Sequence, residues 1–546
     1  MDQKLVIGMD FGSDSVRAVL VDVKDGHEYV NAVCNYPRWM KGLYCDSSQD
    51  RYRQHARDYV EAMTEVLRQV IAACPDPRTI AAISVDTTAS TPCLTDDKMV
   101  PLCLKPGYED NPDAMFVLWK DHTGTRESAE IEALCAASPV NYACHTGGSY
   151  SPENFWSKVL HLLRSSEKLR ADAFSVIELC DFIPSVLTGA SAPEQIRMSH
   201  CVAGAKWMWA EEWGGFPPEE FFRKLDPILL PVLRNLPPTN HYCSEAFGRL
   251  NAEWAAKLGL STDVLVGVGN VDSHSGAVGA GVAEGRMVMN LGTSACYMGV
   301  VPREKIGGKD IPGVFGQVDG MILQGLDGIE AGLSSFGDAF AWLRRLLSWP
   351  LDTLLPADGV EALKDQILPA LTREAEKLPQ REDAPLATDH FNGRRSPFSN
   401  GSLTASLQGL KLFSSAPELY YAIVESTCFA TRTILDHLAS YGVRIDDLVA
   451  CGGVAQKSPF VMQMMADVCG RDILVSATKN GGAHGSAIHA AVVAGCWPDV
   501  PSAQKAMCPP VMKTYRPDGS KAAIFETRYR RYRAAVQFNE GKEEKY

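Results

Sequence analysis

The sequence predicts an α/β protein built as two large domains, and three observations carry that expectation. The chain has 546 residues, more than one hydrophobic core of about 250–300 residues accommodates. Short apolar runs with strand character alternate along it with helical segments. One local pattern, a strand, a glycine turn with hydroxyls and a second strand, occurs near the N-terminus and again about 280 residues later.

The first copy is Leu5-Val6-Ile7-Gly8-Met9, then Asp10-Phe11-Gly12-Ser13-Asp14-Ser15, then Val16-Arg17-Ala18-Val19-Leu20-Val21. It reads as a hairpin. Its turn offers successive N–H groups and the hydroxyls of Ser13 and Ser15 to a phosphate. Asp10, at the strand end, is placed to hold Mg²⁺ through water. An ordinary hairpin whose Ser and Asp residues cap locally fits the same letters. The second copy, Val288-Met289-Asn290-Leu291-Gly292-Thr293-Ser294 and then Ala295-Cys296-Tyr297-Met298, favours the phosphate reading. It suggests duplicated domains that clamp one nucleotide.

Between the copies, Ile80-Ala81-Ala82-Ile83-Ser84-Val85-Asp86 is a strand that runs into Thr87-Thr88-Ala89-Ser90-Thr91. Small hydroxyl residues at a strand's C-terminal end suit the crevice of an open α/β sheet. Asp121 follows an apolar run and is either a contact for a sugar hydroxyl or a solvated loop charge. Residues 151–164 read as helical, with Lys158 on a mostly apolar segment. Lys206 stands among Ala203-Gly204-Ala205 and Trp207; it is either a snorkelling surface group or a donor to a polyol.

The stretch from 264 to 294 organises the rest. A buried-strand run, Val264-Leu265-Val266-Gly267-Val268-Gly269, leads through Asn270-Val271 to Asp272, and a small-residue helix follows. A carboxylate at a strand end and a helix start stays ionised and is placed as a base. Gly292-Thr293 then supplies part of a nucleotide site. Later, Ser335-Phe336-Gly337 opens a helix, and residues 373–397, polar with Pro379, Pro385 and Pro397, read as a long surface connection. Residues 418–438 form an amphipathic helix with Leu419, Ala422, Ile423, Ser426, Phe429, Ala430 and Ile434 on one face. Leu448-Val449-Ala450-Cys451 ends in the pair Gly452-Gly453, and Ser458-Pro459 marks the next helix start.

Composition narrows the class. Hydrophobic residues at 46% and charged residues at 22% are ordinary globular values. A net charge of −13 argues against nucleic acid or an anionic membrane as partner, but not against ATP, which is held by local N–H groups. The opening Met1-Asp2-Gln3-Lys4 is unlike a secretory signal, and the expected location is the cytoplasm. The 16 cysteines are scattered and lack CxxC spacing, as reduced buried thiols would be. The P-loop, dinucleotide, protein-kinase and nucleophile-elbow motifs are missing. Glycine-hydroxyl turns in both halves and one well-placed carboxylate suit transfer of the ATP γ-phosphoryl group to an alcohol, which needs mainly positioning and charge neutralisation.

Residues 405–425 meet every specified position of [GSA]-x-[LIVMFYW]-x-G-[LIVM]-x7-[HDENQ]-[LIVMF]-x2-[AS]-[STAIVM]-[LIVMFY]-[DEQ], including Gly409, Leu410, Glu418, Leu419, Ala422 and Glu425. On this signature the chain resembles the FGGY carbohydrate kinases. The resemblance extends through residues 8–18, Tyr36-Pro37-Arg38-Trp39, residues 111–122, residues 276–281 and Phe391-Asn392-Gly393-Arg394-Arg395. Around Lys158 the family's other signature is poorly met, since Phe155 stands where Pro, Ser or Thr is expected.

The resemblance implies two duplicated ribonuclease H-like domains of the hexokinase/actin ATPase type around a central cleft, here residues 1–282 and 283–546. It implies MgATP-dependent phosphorylation of the ketopentose L-ribulose at its terminal hydroxyl, in L-arabinose catabolism. Asp272 matches the family's base. Ala89, Lys206 and Glu330 match sugar contacts, with Glu330 reaching across the cleft. Ser13, Ser15 and Arg17 match the first phosphate turn, and Gly292, Thr293, Gly337, Gly452 and Gly453 the nucleotide side. A homodimer is left open, as are two rival readings. One is a family kinase for D-ribulose, xylulose or another polyol; the other is a non-catalytic nucleotide-binding protein.

Overall fold

The computed structural model describes residues 4–356 and 359–541. The chain forms two compact units. The first comprises Met1–Gly281, Gly316–Gly328 and Thr478–Pro509, and the second comprises Val282–Phe315, Ile329–Ala477 and Pro510–Tyr546. The chain thus leaves the first unit after Gly281 and returns to it twice. Among the described residues no helix is long and apolar enough to cross a membrane.

In the first unit the strand order is Ala246–Arg249, Leu265–Gly267, Ile80–Thr87, Leu5–Phe11, Ser15–Asp22 and Glu28–Asn35. The last three form antiparallel pairs, whereas Leu5–Phe11, Ile80–Thr87 and Leu265–Gly267 run parallel. Central strands covered on both faces read as unbroken apolar runs; Leu5, Val6, Ile7, Met9 and Phe11 are all buried. The parallel register sets Asp10 beside Asp86, and the short Asn270–Val271 strand sets Asn270 on the other side of Asp86. Three strands therefore end together, and Asp272 begins the helix Asp272–Gly279 immediately beyond.

The helix Gly481–Val493 covers this region. Its small residues are required by close approach. A methyl group on Gly8 would lie 1.9 Å from the Ala483 carbonyl oxygen, and one on Gly485 would lie 1.8 Å from the Ser275 carbonyl oxygen. Strand, covering helix and Asp272 helix meet backbone to backbone, which leaves the carboxylates little freedom to move.

The second unit repeats the plan. Its strands run Asp327–Leu333, Ala295–Val301, Arg286–Leu291, Asp447–Cys451, Ile473–Ser476 and Val511–Tyr515. Arg286–Leu291 is antiparallel to Ala295–Val301 and parallel to Asp447–Cys451, which is parallel in turn to Ile473–Ser476. The helix Ala416–Ser440 opens with a capping box between Ser415 and Glu418. Of its expected apolar face all but Leu419 are buried, in a core with Met289, Leu291, Phe336 and Leu343. Glu425, the acidic end of the signature, is buried in a bidentate pair with Arg528, at 2.6 and 2.5 Å. It anchors the Ala522–Asn539 helix. The expected surface connection over residues 373–397 is largely exposed as far as Ala384 and then turns inward. The strand Leu386–Ala387 and the following Thr388, Asp389 and His390 are buried, with Asp389 accepting from Tyr532 Oη.

Candidate active site

In the first unit the hairpin turn closes through Gly12 N–H to the Ser15 carbonyl, 3.0 Å. Ser13 is held from two directions. Its hydroxyl accepts from Trp119 Nε1 at 3.0 Å and its carbonyl accepts from Gln54 Nε2 at 2.6 Å. Arg17 points back along the hairpin, its Nη1 3.6 Å from Asp10 Oδ2. Asp10, Ser13, Ser15 and Arg17 are therefore brought together in one turn.

The register places a second carboxylate against this turn. Asp86 is fully buried; its Oδ2 accepts from Ser486 Oγ at 2.6 Å, and its Oδ1 has no hydrogen-bond partner among the described residues. A methyl on Gly482 would lie 3.0–3.1 Å from both the Asp10 and the Asp86 carboxyl groups, so the two flank one glycine. Burial, then the charge of Asp10, raises Asp86 well above the ordinary carboxylate range, with Asp272 adding to the rise. Burial also raises Asp10, against the opposing pull of Arg17. A buried carboxylate facing a half-buried one favours a proton or a cation between them. The orphaned Asp86 oxygen and this like-charge pair fit the oxygen-rich demands of Mg²⁺.

Asp86 is the residue that sequence reasoning missed. The signal was present, since Asp86 ends its strand as Asp10 ends its own. It took the parallel register to make the two neighbours. Asp272 is half-buried at its helix start, Oδ1 accepting from Ser273 N–H at 2.6 Å. Ala89 is half-buried in the turn after the Ile80–Thr87 strand. Lys206 ends the helix His200–Lys206 and is 6% exposed, so it is not a snorkelling surface group. Asp121 takes neither of its expected roles. It is buried, paired with Arg53 Nε at 3.1 Å, and accepts from Tyr52 N–H and Thr123 Oγ1.

In the second unit the glycines converge. Gly337 N–H and Phe336 N–H donate to the carbonyls of Gly292 and Thr293, at 3.0 and 2.8 Å, seating the start of the Gly337–Leu354 helix on the hairpin turn. Gly452 has φ 92° and a methyl there would lie 2.6 Å from the Leu291 carbonyl and 2.8 Å from Asn290 Oδ1. The position demands glycine on both counts. Gly453 begins the short helix after it and faces open space. Exposed Gly292, Thr293 and Gly453 border this turn, the sort of backbone-lined surface that receives phosphate. Glu330 lies in the Asp327–Leu333 strand of this unit, 7% exposed.

Two units with the same strand plan, each ending in a glycine-hydroxyl hairpin, define the duplicated α/β fold of the ATP-dependent sugar phosphotransferases. Solved structures carry the same fold. A xylulose kinase from Rhodospirillum rubrum superposes with a TM-score of 0.78 at 21% identity, over 98% of this chain and 99% of that one. A Plasmodium falciparum glycerol kinase with ADP gives 0.76 at 16%, over 98% of each. The model of the FGGY family of carbohydrate kinases, C-terminal domain, matches residues 287–494. A ribulokinase from Vibrio parahaemolyticus is 40% identical over 98% of this chain and 96% of its own. Another from Geobacillus thermodenitrificans is 33% identical over 97% and 94%. The chain belongs to the FGGY family of carbohydrate kinases: it is a phosphotransferase that takes ATP as donor and a sugar alcohol group as acceptor.

Proposed function

We propose that this kinase phosphorylates L-ribulose at its terminal hydroxyl to give L-ribulose 5-phosphate, with Asp272 as the general base. The observation that carries the substrate is the 40% identity, sustained over 98% of the chain, to a protein named ribulokinase. Asp272 begins a helix, close enough to Asp86 for its charge to add to the rise there.

In this reading Ala89, Lys206 and Glu330 hold the ketopentose, and Lys206, a buried cation, donates to its hydroxyls. The terminal oxygen attacks the γ-phosphorus, the bond to the β,γ-bridging oxygen breaks, and ADP leaves. The hydroxyl proton passes to Asp272, late, because an alcohol is a far weaker acid than a carboxyl group of pKa about 3.9. Asp10 and Asp86 would hold Mg²⁺, whose chemistry is to neutralise charge on the phosphates. Ser13, Ser15 and Arg17 orient the transferring phosphoryl group. The backbone around Gly292, Thr293, Gly337, Gly452 and Gly453 holds the nucleotide.

The test is ADP release in a coupled assay with MgATP, offering L-ribulose beside D-ribulose, L- and D-xylulose, ribitol and glycerol. The expected result is a kcat/KM for L-ribulose above the others. A preference for another sugar moves the substrate and keeps the base; a site built to pair each hydroxyl discriminates strongly against one that is misplaced.

A further inference from the structure

Two fully buried charges in the first unit stand outside the mechanism above. Glu178 ends the strand Ser175–Glu178, and Lys158 lies in the helix Phe155–Ser165. Their partners are specific. The Glu178 carboxylate accepts from the Thr91 backbone N–H, from Ser90 Oγ at 2.8 Å and from Trp207 Nε1 at 3.2 Å. The Lys158 ammonium donates to the carbonyl of Ser90 at 2.5 Å, of Leu118 at 3.0 Å and of Trp119 at 3.4 Å. All three ammonium protons are used.

Each of these contacts leads to a site segment. Ser90 and Thr91 form the turn that carries Ala89. Trp207 caps the helix that ends in Lys206, its N–H bonded to Ala203, and its ring stacks on Phe155 at 3.7 Å. Trp119, whose carbonyl Lys158 holds, donates from its indole to Ser13 Oγ. Burying two ions is costly, and well-packed apolar side chains of similar volume often serve stability as well or better. The charges here fix the places of backbone groups that an apolar core would leave unsatisfied.

We propose that Glu178 and Lys158 are positioning residues. They clamp the 88–91 turn from its two sides and fix it against Lys206 and Ser13, and so set the affinity for the sugar. The inference rests on the reading of Ala89 and Lys206 as sugar contacts. Burial lowers Lys158 to about 8, with Glu178, Asp121 and Glu153 favouring its charged form and Arg53 opposing it. A neutral amine has two protons for three carbonyls, so the clamp loosens on the alkaline side.

The experiment measures KM for the sugar and for ATP, with Tm, in wild type, Ser90→Ala and Glu178→Gln. Ser90→Ala removes one hydroxyl and keeps both charges, so it tests the clamp even if Glu178→Gln fails to fold. The expected result is a sugar KM raised about tenfold in Ser90→Ala, the scale of one hydrogen bond to a buried charge, and further in a folded Glu178→Gln. KM for ATP should stay within about twofold. In wild type the sugar KM should rise as pH passes about 8. An active wild type whose variants keep the sugar KM, or shift both KM values together with Tm, overturns the clamp alone. A wild type with no sugar-dependent ADP release overturns the sugar reading and the clamp with it.

Discussion

The Leu5–Phe11 hairpin and the Arg286–Leu291 hairpin hold the same place in their two sheets, and what differs is the residue at the strand end. In the first unit Asp10 faces Asp86 across the parallel pairing; in the second Asn290 faces Cys451. The first pair is a half-buried Asp10 beside a fully buried Asp86; desolvation raises both, and the charge of Asp10 raises Asp86 further. The second is neutral throughout, for desolvation pushes the Cys451 thiol up to about 12. One backbone device occurs twice, and in the proposed mechanism two letters make the first copy the site for cation and proton chemistry and the second a neutral cradle for the nucleotide. A second fixed negative charge beside nucleotide phosphates would repel them, and the second copy avoids it.

The largest effect expected from breaking this contrast is at the base. Asp272→Asn should lower kcat by about 10²–10⁴-fold, the usual worth of a positioned general base, while KM for ATP and Tm stay near wild type. Turnover within tenfold of wild type would remove the base from Asp272. Exchanging the strand-end letters sharpens the comparison itself. Asp10→Asn should cost about 10²-fold in kcat and move the Mg²⁺ dependence to higher concentration. Asn290→Asp should instead raise KM for ATP about tenfold through repulsion of the phosphates, with the sugar KM unchanged. Equal effects of the two substitutions on sugar and ATP would mean that the copies are not specialised.

Individual glycines differ in what a methyl would meet. Gly485→Ala drives a methyl into the Ser275 backbone, and neither element can yield. It should cost about 3 kcal/mol, at the upper end for overpacking, read by urea unfolding. Gly453→Ala meets open space and should leave stability within about 0.5 kcal/mol, the range of an ordinary surface change. Any loss there should appear in KM for ATP.

The hairpins, the Asp272 helix start and the long Ala416–Ser440 helix were legible because each is a local pattern of apolar period, turn residue and cap. What escaped is what depends on register and return. Asp86 acquires its meaning only beside Asp10. The Gly481–Val493 helix belongs to the first unit, a long-range return that no local letter reports. Lys158 and Asp121 looked like an apolar-face lysine and a loop acid because sequence shows charge but not the partner that makes burial tolerable. Residues 386–390 read as surface for the same reason.

The covering helix brings two buried histidines to the first unit: His484, paired with Glu28, and His489. His489 is buried, its Nε2 3.3 Å from Asn270 Nδ2, and burial lowers it to about 4. The neutral ring accepts from the Asn270 amide, which lies beside Asp86 in the sheet. The unfolded chain takes up this proton near pH 6.5 and the folded chain refuses it until about 4. Stability from this group is therefore complete above about pH 6.5 and is lost as pH falls toward 4. At about 1.4 kcal/mol per pH unit, the loss is about 2 kcal/mol by pH 5. The raised Asp10 and Asp86 act with the opposite sign: the folded state binds their protons first, so acid relieves their repulsion. His489→Gln, which keeps an acceptor for Asn270 and cannot titrate, should flatten the fall in unfolding free energy between pH 6.5 and 5 relative to wild type. Parallel curves for the two proteins over that window would show that His489 protonates in the folded state as readily as in the unfolded one, and that the helix does not keep its ring dry.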